Sequence, residues 1–134
     1  MYLEIQQRVK EGITILDLYG KLVLGSEDLL LREWMLSLLT QGVHNIILNL
    51  ERVSTIDTAG LGTLVNCAGA AGSCGGKVAL VSLVPAQDGV LNILQLNIQL
   101  EVYSEEADAV NSFFPGRRAV KYDILDFVEN LKGR

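Results

Sequence analysis

The chain has 134 residues, 49% apolar and 20% charged, a balance normal for one globular domain and unlike that of a disordered polymer. Lys plus Arg is 11 and Asp plus Glu is 16, so the net charge of −5 argues against nonspecific binding to nucleic acid or to an anionic membrane. No apolar run approaches the roughly 20 residues of a membrane span, and Met1 to Ile5 lacks the basic leader and apolar core of a signal peptide, so a cytoplasmic location is expected.

Leu3 to Val9 alternates loosely, Lys10-Glu11-Gly12 reads as a turn, and Ile13 to Tyr19 reads as a second strand. Ile13 and Ile15 fall on one of its faces, Leu16 and Leu18 on the other. An opening antiparallel hairpin is expected. Gly25-Ser26-Glu27-Asp28 is a helix start, with Ser26 as cap and two acids in the first turn. Leu31, Trp34, Met35 and Leu38 then follow the spacing of one buried helical face, and Gly42 stops the helix.

Asn45-Ile46-Ile47-Leu48-Asn49-Leu50 is near-continuously apolar at its centre, as expected of a strand covered on both faces. Val78 to Val84 has the same character. Between these strands lies a helix that begins near Asp57 and ends at Gly75-Gly76. Leu61, Leu64, Val65 and Ala68 make its core face, and Thr58, Gly62, Asn66, Gly69 and Ser73 an adjoining stripe. Gly60, Gly62, Gly69 and Gly72 each cost roughly 1 kcal/mol against Ala in a helix interior. Such a cost is tolerated where something approaches the backbone closely, either the domain's own sheet or a partner.

Pro85 breaks the next strand. Val90, Leu91 and Leu94 suggest a short third helix, and Leu100 and Val102 a short final strand. Ser104-Glu105-Glu106 caps a fourth helix with Ala107, Val110 and Phe114 on its face, ended by Pro115-Gly116. In the tail, Asp123 starts an amphipathic turn or two carrying Ile124, Phe127, Val128 and Leu131. Strands alternating with helices after a hairpin give a mixed α/β sheet covered by about four helices.

Several kinds of chemistry are missing. Gly75-Gly76-Lys77-Val78 fails as a phosphate loop, because its first glycine would fall at Ala71 and Val78 stands where Ser or Thr is needed. Gly60 and Gly62 do not complete a dinucleotide fingerprint, since position 65 is Val. His44 has no second His for a relay. Cys67 and Cys74, seven apart on one helix, sit about 10 Å apart, too far for a disulfide. With His44 they are too few for zinc, so no metal and no cofactor is expected. Glu105 and Glu106 are first-turn acids. The chain is not expected to be an enzyme. Arg117, Arg118 and Lys121 are too small a basic cluster to bind nucleic acid.

What remains is Ser54-Thr55-Ile56-Asp57-Thr58-Ala59-Gly60-Leu61-Gly62, where an apolar strand gives way to a small-residue helix. Asp57 is placed to accept bonds from the helix's first amides. Thr58 then lies at a surface turn near the positive end of the helix dipole. One phosphoryl group there adds about −1.5 to −2 charges.

From Leu50 to Val65 the chain resembles the STAS family, the fold of bacterial anti-sigma factor antagonists. The residues that carry this are Asn45 to Leu50, Val53-Ser54, Ile56-Asp57-Thr58-Ala59-Gly60-Leu61-Gly62 and Leu64-Val65. Leu18-Tyr19-Gly20-Lys21-Leu22 and Gly75-Gly76-Lys77 support it. The resemblance covers about residues 3–114. It implies a STAS-like domain over 1–116, with 117–134 as a C-terminal extension beyond the usual domain. It also implies a switchable binding protein; a monomer or weak dimer is expected. Thr58 matches the residue that a partner kinase phosphorylates, the kinase being also the anti-sigma factor, and a phosphatase resets it. Ser26, Asp57, Thr58, Ala59, Gly60, Leu61, Gly62 and Asn66 would form the partner surface. The family most often has Ser where this chain has Thr58, and another small hydroxyl residue where it has Ala59. Asp57 either helps the kinase recognise the site or only caps the helix. The resemblance also admits a second class, an unphosphorylated adaptor subunit of a stress-sensing assembly or a transporter.

Overall fold

The computed structural model describes residues 3–82 and 100–120. The expected hairpin is present: β1 (Leu3–Lys10) pairs antiparallel with β2 (Ile13–Leu22), from Lys10 opposite Ile13 to Leu3 opposite Gly20. Glu11 and Gly12 make the turn at φ 52° and 83°. A two-residue turn with both φ values positive has the twist that the flanking strands need.

Four further elements follow to the end of residue 82: α1 (Ser26–Thr40), β3 (Asn45–Ile56), α2 (Thr58–Ser73) and β4 (Lys77–Val81). After the undescribed segment come β5 (Glu101–Tyr103) and α3 (Glu106–Asn111). The sheet runs β1-β2-β3-β4-β5 in chain order, antiparallel at the hairpin and parallel from β2 onward. Among the described residues there are three helices. The predicted helix at Val90, Leu91 and Leu94, and that of the tail at Ile124 to Leu131, lie outside the described residues.

β2 and β3 are buried on both faces. Leu16, Leu18 and Leu22 join Leu48, Leu64, Leu31 and Met35 in a core beneath α1 and α2. Ile13, Ile15 and Ile47 join Val81, Tyr103 and Val110 in a smaller core beneath α3. β3 outruns the expected strand by six residues, reaching Ile56, because β2 still pairs with it past the charged Glu51-Arg52, with irregular register after Asp17 and after Gly20. Its extra length carries the chain to the start of α2.

Two helix starts differ from expectation. Gly25, not Ser26, is the N-cap of α1, at φ 124°, a conformation open to glycine. Asp28 Oδ1 accepts from the Gly25 amide at 2.9 Å, the return half of a capping box. At α3 the cap residue Glu105 makes no side-chain cap bond, and Glu106 reaches Arg8 and Lys10 instead. The face of α3 is Ala109 and Val110, whereas Ala107 is exposed, and the helix ends at Asn111, ahead of Pro115. On α2, Val65 is only half-buried, while Cys67 and Ala71 complete the core face.

Candidate functional site

Thr58 is the first residue of α2 and is exposed. It is held there by its neighbour. Asp57 is the N-cap, and both of its carboxylate oxygens are used. Oδ1 accepts from the Gly60 amide at 2.8 Å, and Oδ2 accepts from the Leu24 amide at 2.9 Å. The first bond satisfies an orphan donor of the helix. The second ties the loop before α1 to the start of α2. The Asp57 amide in turn donates to the Leu22 carbonyl at 3.3 Å.

Asp28 mirrors Asp57 from the other side of that loop. It is buried, with Oδ1 on the Gly25 amide and Oδ2 at 3.3 Å from Thr63 Oγ1 on α2. Arg32 Nε donates to Thr63 Oγ1 at 3.2 Å and lies 3.5 Å from Asp28 Oδ2. Thr63 Oγ1 also reaches the Ala59 carbonyl at 3.1 Å. Residues 24 and 25 are therefore clamped between two carboxylates, and the starts of α1 and α2 are fixed relative to each other.

Of the residues expected at the partner surface, Ser26, Thr58 and Asn66 are exposed, and Asp57, Ala59 and Gly62 are half-buried. Gly60 and Leu61 face inward. Leu61 is 3% exposed and belongs to the core, so its part is to anchor the helix. A Cβ on Gly60 would lie 2.2 Å from the Leu22 carbonyl oxygen, whereas Cβ atoms on Gly62, Gly69 and Gly72 would meet nothing within 4 Å. The glycine question thus divides. Gly60 lets the domain's own β2 approach the helix, and the other three leave the outer side of α2 bare. Ser26 Oγ donates to Glu27 Oε2 at 3.2 Å. Leu24, beside the Asp57 clamp, is 73% exposed.

Sequence reasoning missed Asp28, Arg32, Thr63 and Leu24. Asp28 was legible only as a first-turn acid, because the capping-box pattern needs a hydroxyl residue at the cap and Gly25 has no side chain. The Asp28–Thr63 contact spans 35 residues and has no local signature. Cys67 is buried and its thiol pushed up to about 11 by that burial; Cys74 is exposed, and both are free. Among the described residues no cluster of His, Cys, Asp and Glu could hold a metal, and no helix is long and apolar enough to cross a membrane.

This architecture, a mixed sheet opened by an antiparallel hairpin and continued by parallel strands alternating with helices, is that of a known class of domain. The STAS domain model matches residues 4–109, and the chain belongs to the STAS domain family. No curated protein sequence matches it significantly. Among solved structures it is similar to a Thermotoga maritima protein described as a candidate anti-sigma factor antagonist. The identity is 26%, over 81% of this chain and 92% of that one, with a TM-score of 0.69. It shares its fold with the Bacillus cell fate determinant SpoIIAA in the phosphorylated form, at 20% identity, 83% and 98% coverage and TM-score 0.62. The murine anion transporter Slc26a9 also shares the fold, at 20% identity and TM-score 0.55, over 74% of this chain and 17% of that one.

Proposed function

We propose that the chain is an anti-sigma factor antagonist whose docking is switched by phosphorylation of Thr58. In this reading it binds an anti-sigma factor with serine/threonine kinase activity while Thr58 is unmodified. It releases that partner once Thr58 carries a phosphate, and a phosphatase returns it to the binding form. The observation that supports this is the position of Thr58, exposed on the first turn of α2 beside a carboxylate that is wholly engaged within the domain. Asp57 then acts as cap and clamp, and the presentation of Thr58 is pre-set.

The physical consequence falls on the complex. A phosphate at a helix N-terminus is favourable, because unused amides and the dipole face it. The folded domain therefore tolerates it. In a close interface over Gly62 and Asn66, the added charge of about −1.5 to −2 would have to be desolvated beside Asp57. Losing about 3 kcal/mol there weakens binding roughly a hundredfold. Nothing in this role requires catalysis by the chain itself or entry into a membrane.

The test is direct. Incubated with ATP and an anti-sigma kinase from the same genome, the protein should gain one phosphate that maps to Thr58, and Thr58→Ala should gain none. Thr58→Glu should unfold at the same denaturant concentration as the parent yet bind the kinase at least tenfold more weakly. No gain of phosphate, together with undiminished binding by Thr58→Glu, would move the assignment to an unphosphorylated adaptor.

A further inference from the structure

We propose that two copies of this chain pair edge to edge along β1, antiparallel, and continue the sheet across a twofold axis. This does not rest on phosphorylation of Thr58. Among the described residues β1 is the end strand of the sheet, and its register against β2 is unbroken over all eight residues. The two-residue turn closes Lys10 on Ile13, which makes that pair a hydrogen-bonded one. Glu4, Gln6, Arg8 and Lys10 therefore bond across to β2. The amides and carbonyls of Leu3, Ile5, Gln7 and Val9 face outward, an open template for another strand. Natural edges are blunted by a bulge, a proline or like charges. β1 carries charges of both signs, Glu4 against Arg8 and Lys10, which a second copy can pair, and it has neither a bulge nor a proline.

Charge selects the occupant. Glu4 stands at one end of β1, Arg8 and Lys10 at the other. A second copy related by a twofold axis runs antiparallel and so sets the acidic end of each strand against the basic end of the other. The register centred on Gln7 does this best. It places Glu4 opposite the partner's Lys10 and Val9 opposite the partner's Ile5. Arg8 already holds Asp17 and Glu106, whereas Lys10 reaches Glu106 only at 3.4 Å and its side chain is 50% exposed. Val9, 65% exposed, gains an apolar neighbour.

The same axis passes a groove. Gln7, Leu30, Trp34 and Leu38 line it between β1 and α1, with Glu33 and Gln41 on its rim. Trp34 Nε1 donates to Gln7 Oε1 at 2.9 Å, so the indole is held at the edge of the strand. In the pair, this groove of one copy opens onto that of its twin. The site at Thr58 stays clear, because α2 packs chiefly on α1, β4 and β3. The dimer would then display two Thr58 sites, and a partner that is itself dimeric would gain from engaging both.

Sedimentation equilibrium of the full chain across a concentration series tests this, with circular dichroism to confirm folding of each variant. The parent should dimerise in a concentration-dependent way below about 1 mM. Val9→Pro removes an outward amide and no bond to β2, and should weaken the dimer at least tenfold. Glu4→Lys and Lys10→Glu should each do the same, by setting like charges opposite one another. The double variant Glu4→Lys/Lys10→Glu should recover the parent's affinity. A parent that stays monomeric throughout, a dimer unmoved by Val9→Pro, or a double swap no better than its single components would overturn the proposal.

Discussion

Beneath α1 and α2, one apolar cluster holds twenty buried side chains among the described residues; beneath α3 the corresponding cluster holds eight. The smaller face carries most of the ion pairs found among the described residues. Arg8 donates to Asp17 at 2.7 Å and to Glu106, and Asn49 adds a bond to Asp17 at 2.8 Å. Lys77 reaches Glu101 at 2.9 Å and Ser112 Oγ at 2.8 Å, and lies over the Phe113 ring at 4.3 Å. Arg117 stacks on Phe114 at 4.1 Å and reaches Glu11 at 3.1 Å. On the larger face, carboxylates serve the backbone: Asp28 and Asp57 hold amides at the helix starts. Apolar burial carries no titrating group, whereas partly exposed ion pairs are screened by salt and lost when the carboxylate is protonated. Thr58 sits on the face with the larger apolar cluster, where Asp57 and Asp28 fix the helix starts.

The contrast is sharpest at two glycines of α2. Gly60→Ala forces a methyl group to within 2.2 Å of the Leu22 carbonyl oxygen, on a backbone that the core already fixes. It should destabilise the protein by about 1–3 kcal/mol, the range of an overpacked core. Gly62→Ala meets nothing within 4 Å and should stabilise by about 0.5–1 kcal/mol through helix propensity. Urea unfolding of the two variants checks both signs. Equal effects would mean that β2 and α2 are not locked together at Gly60.

Asp57→Ala comes next. It strips the acceptor from the Gly60 and Leu24 amides at once and should cost about 1–2 kcal/mol, as for a lost N-cap. Amide exchange locates the damage. The Leu24 and Gly25 amides should exchange faster, while those of Leu48 and Leu80 in the sheet keep their protection. Unchanged exchange at Leu24 would show that Asp57 caps α2 without clamping the loop before α1.

Much of this was legible in the chain itself, for reasons that differ by element. The two faces of β2 follow from a period of two, so Ile13 and Ile15 separate cleanly from Leu16 and Leu18. The face of α1 follows from a period near 3.6, and Leu31, Met35 and Leu38 are buried as that spacing requires. The position of Thr58 followed from Asp57 as cap. Other features depend on distant backbone. Gly60 and Gly62 look alike in sequence and are told apart only by the Leu22 carbonyl. β3 looks finished at Leu50 because Glu51-Arg52 and Ser54-Thr55 interrupt the apolar run, while pairing with β2 and the burial of Val53 and Ile56 carry the strand on. Ser26 was read as a cap because hydroxyls usually serve there. Gly25 took the role because the chain arrives in a left-handed conformation. Short helices carry too little periodicity to fix a face, which is why Ala109, and not Ala107, packs with Val110 in α3.

The smallest expected effect tests the charged face. Arg8 holds the carboxyls of Asp17 and Glu106 below the usual carboxylate range, chiefly through its hydrogen bonds to them. Groups whose folded-state pKa is depressed stabilise the protein above the unfolded pKa of about 4, and that contribution is lost as pH falls through the folded value. Glu106→Gln should thus cost stability at pH 7 and progressively less toward pH 3, where the parent's own Glu106 is becoming protonated. The side chains of Arg8 and Glu106 are 40% and 27% exposed, so solvent screening keeps the difference at pH 7 under about 1 kcal/mol. Added salt should shrink it further. Urea midpoints of parent and variant at pH 7, 5 and 3 read the trend. A gap that stays constant with pH would mean that Glu106 acts through packing on the sheet, and that the α3 face is held as its opposite is.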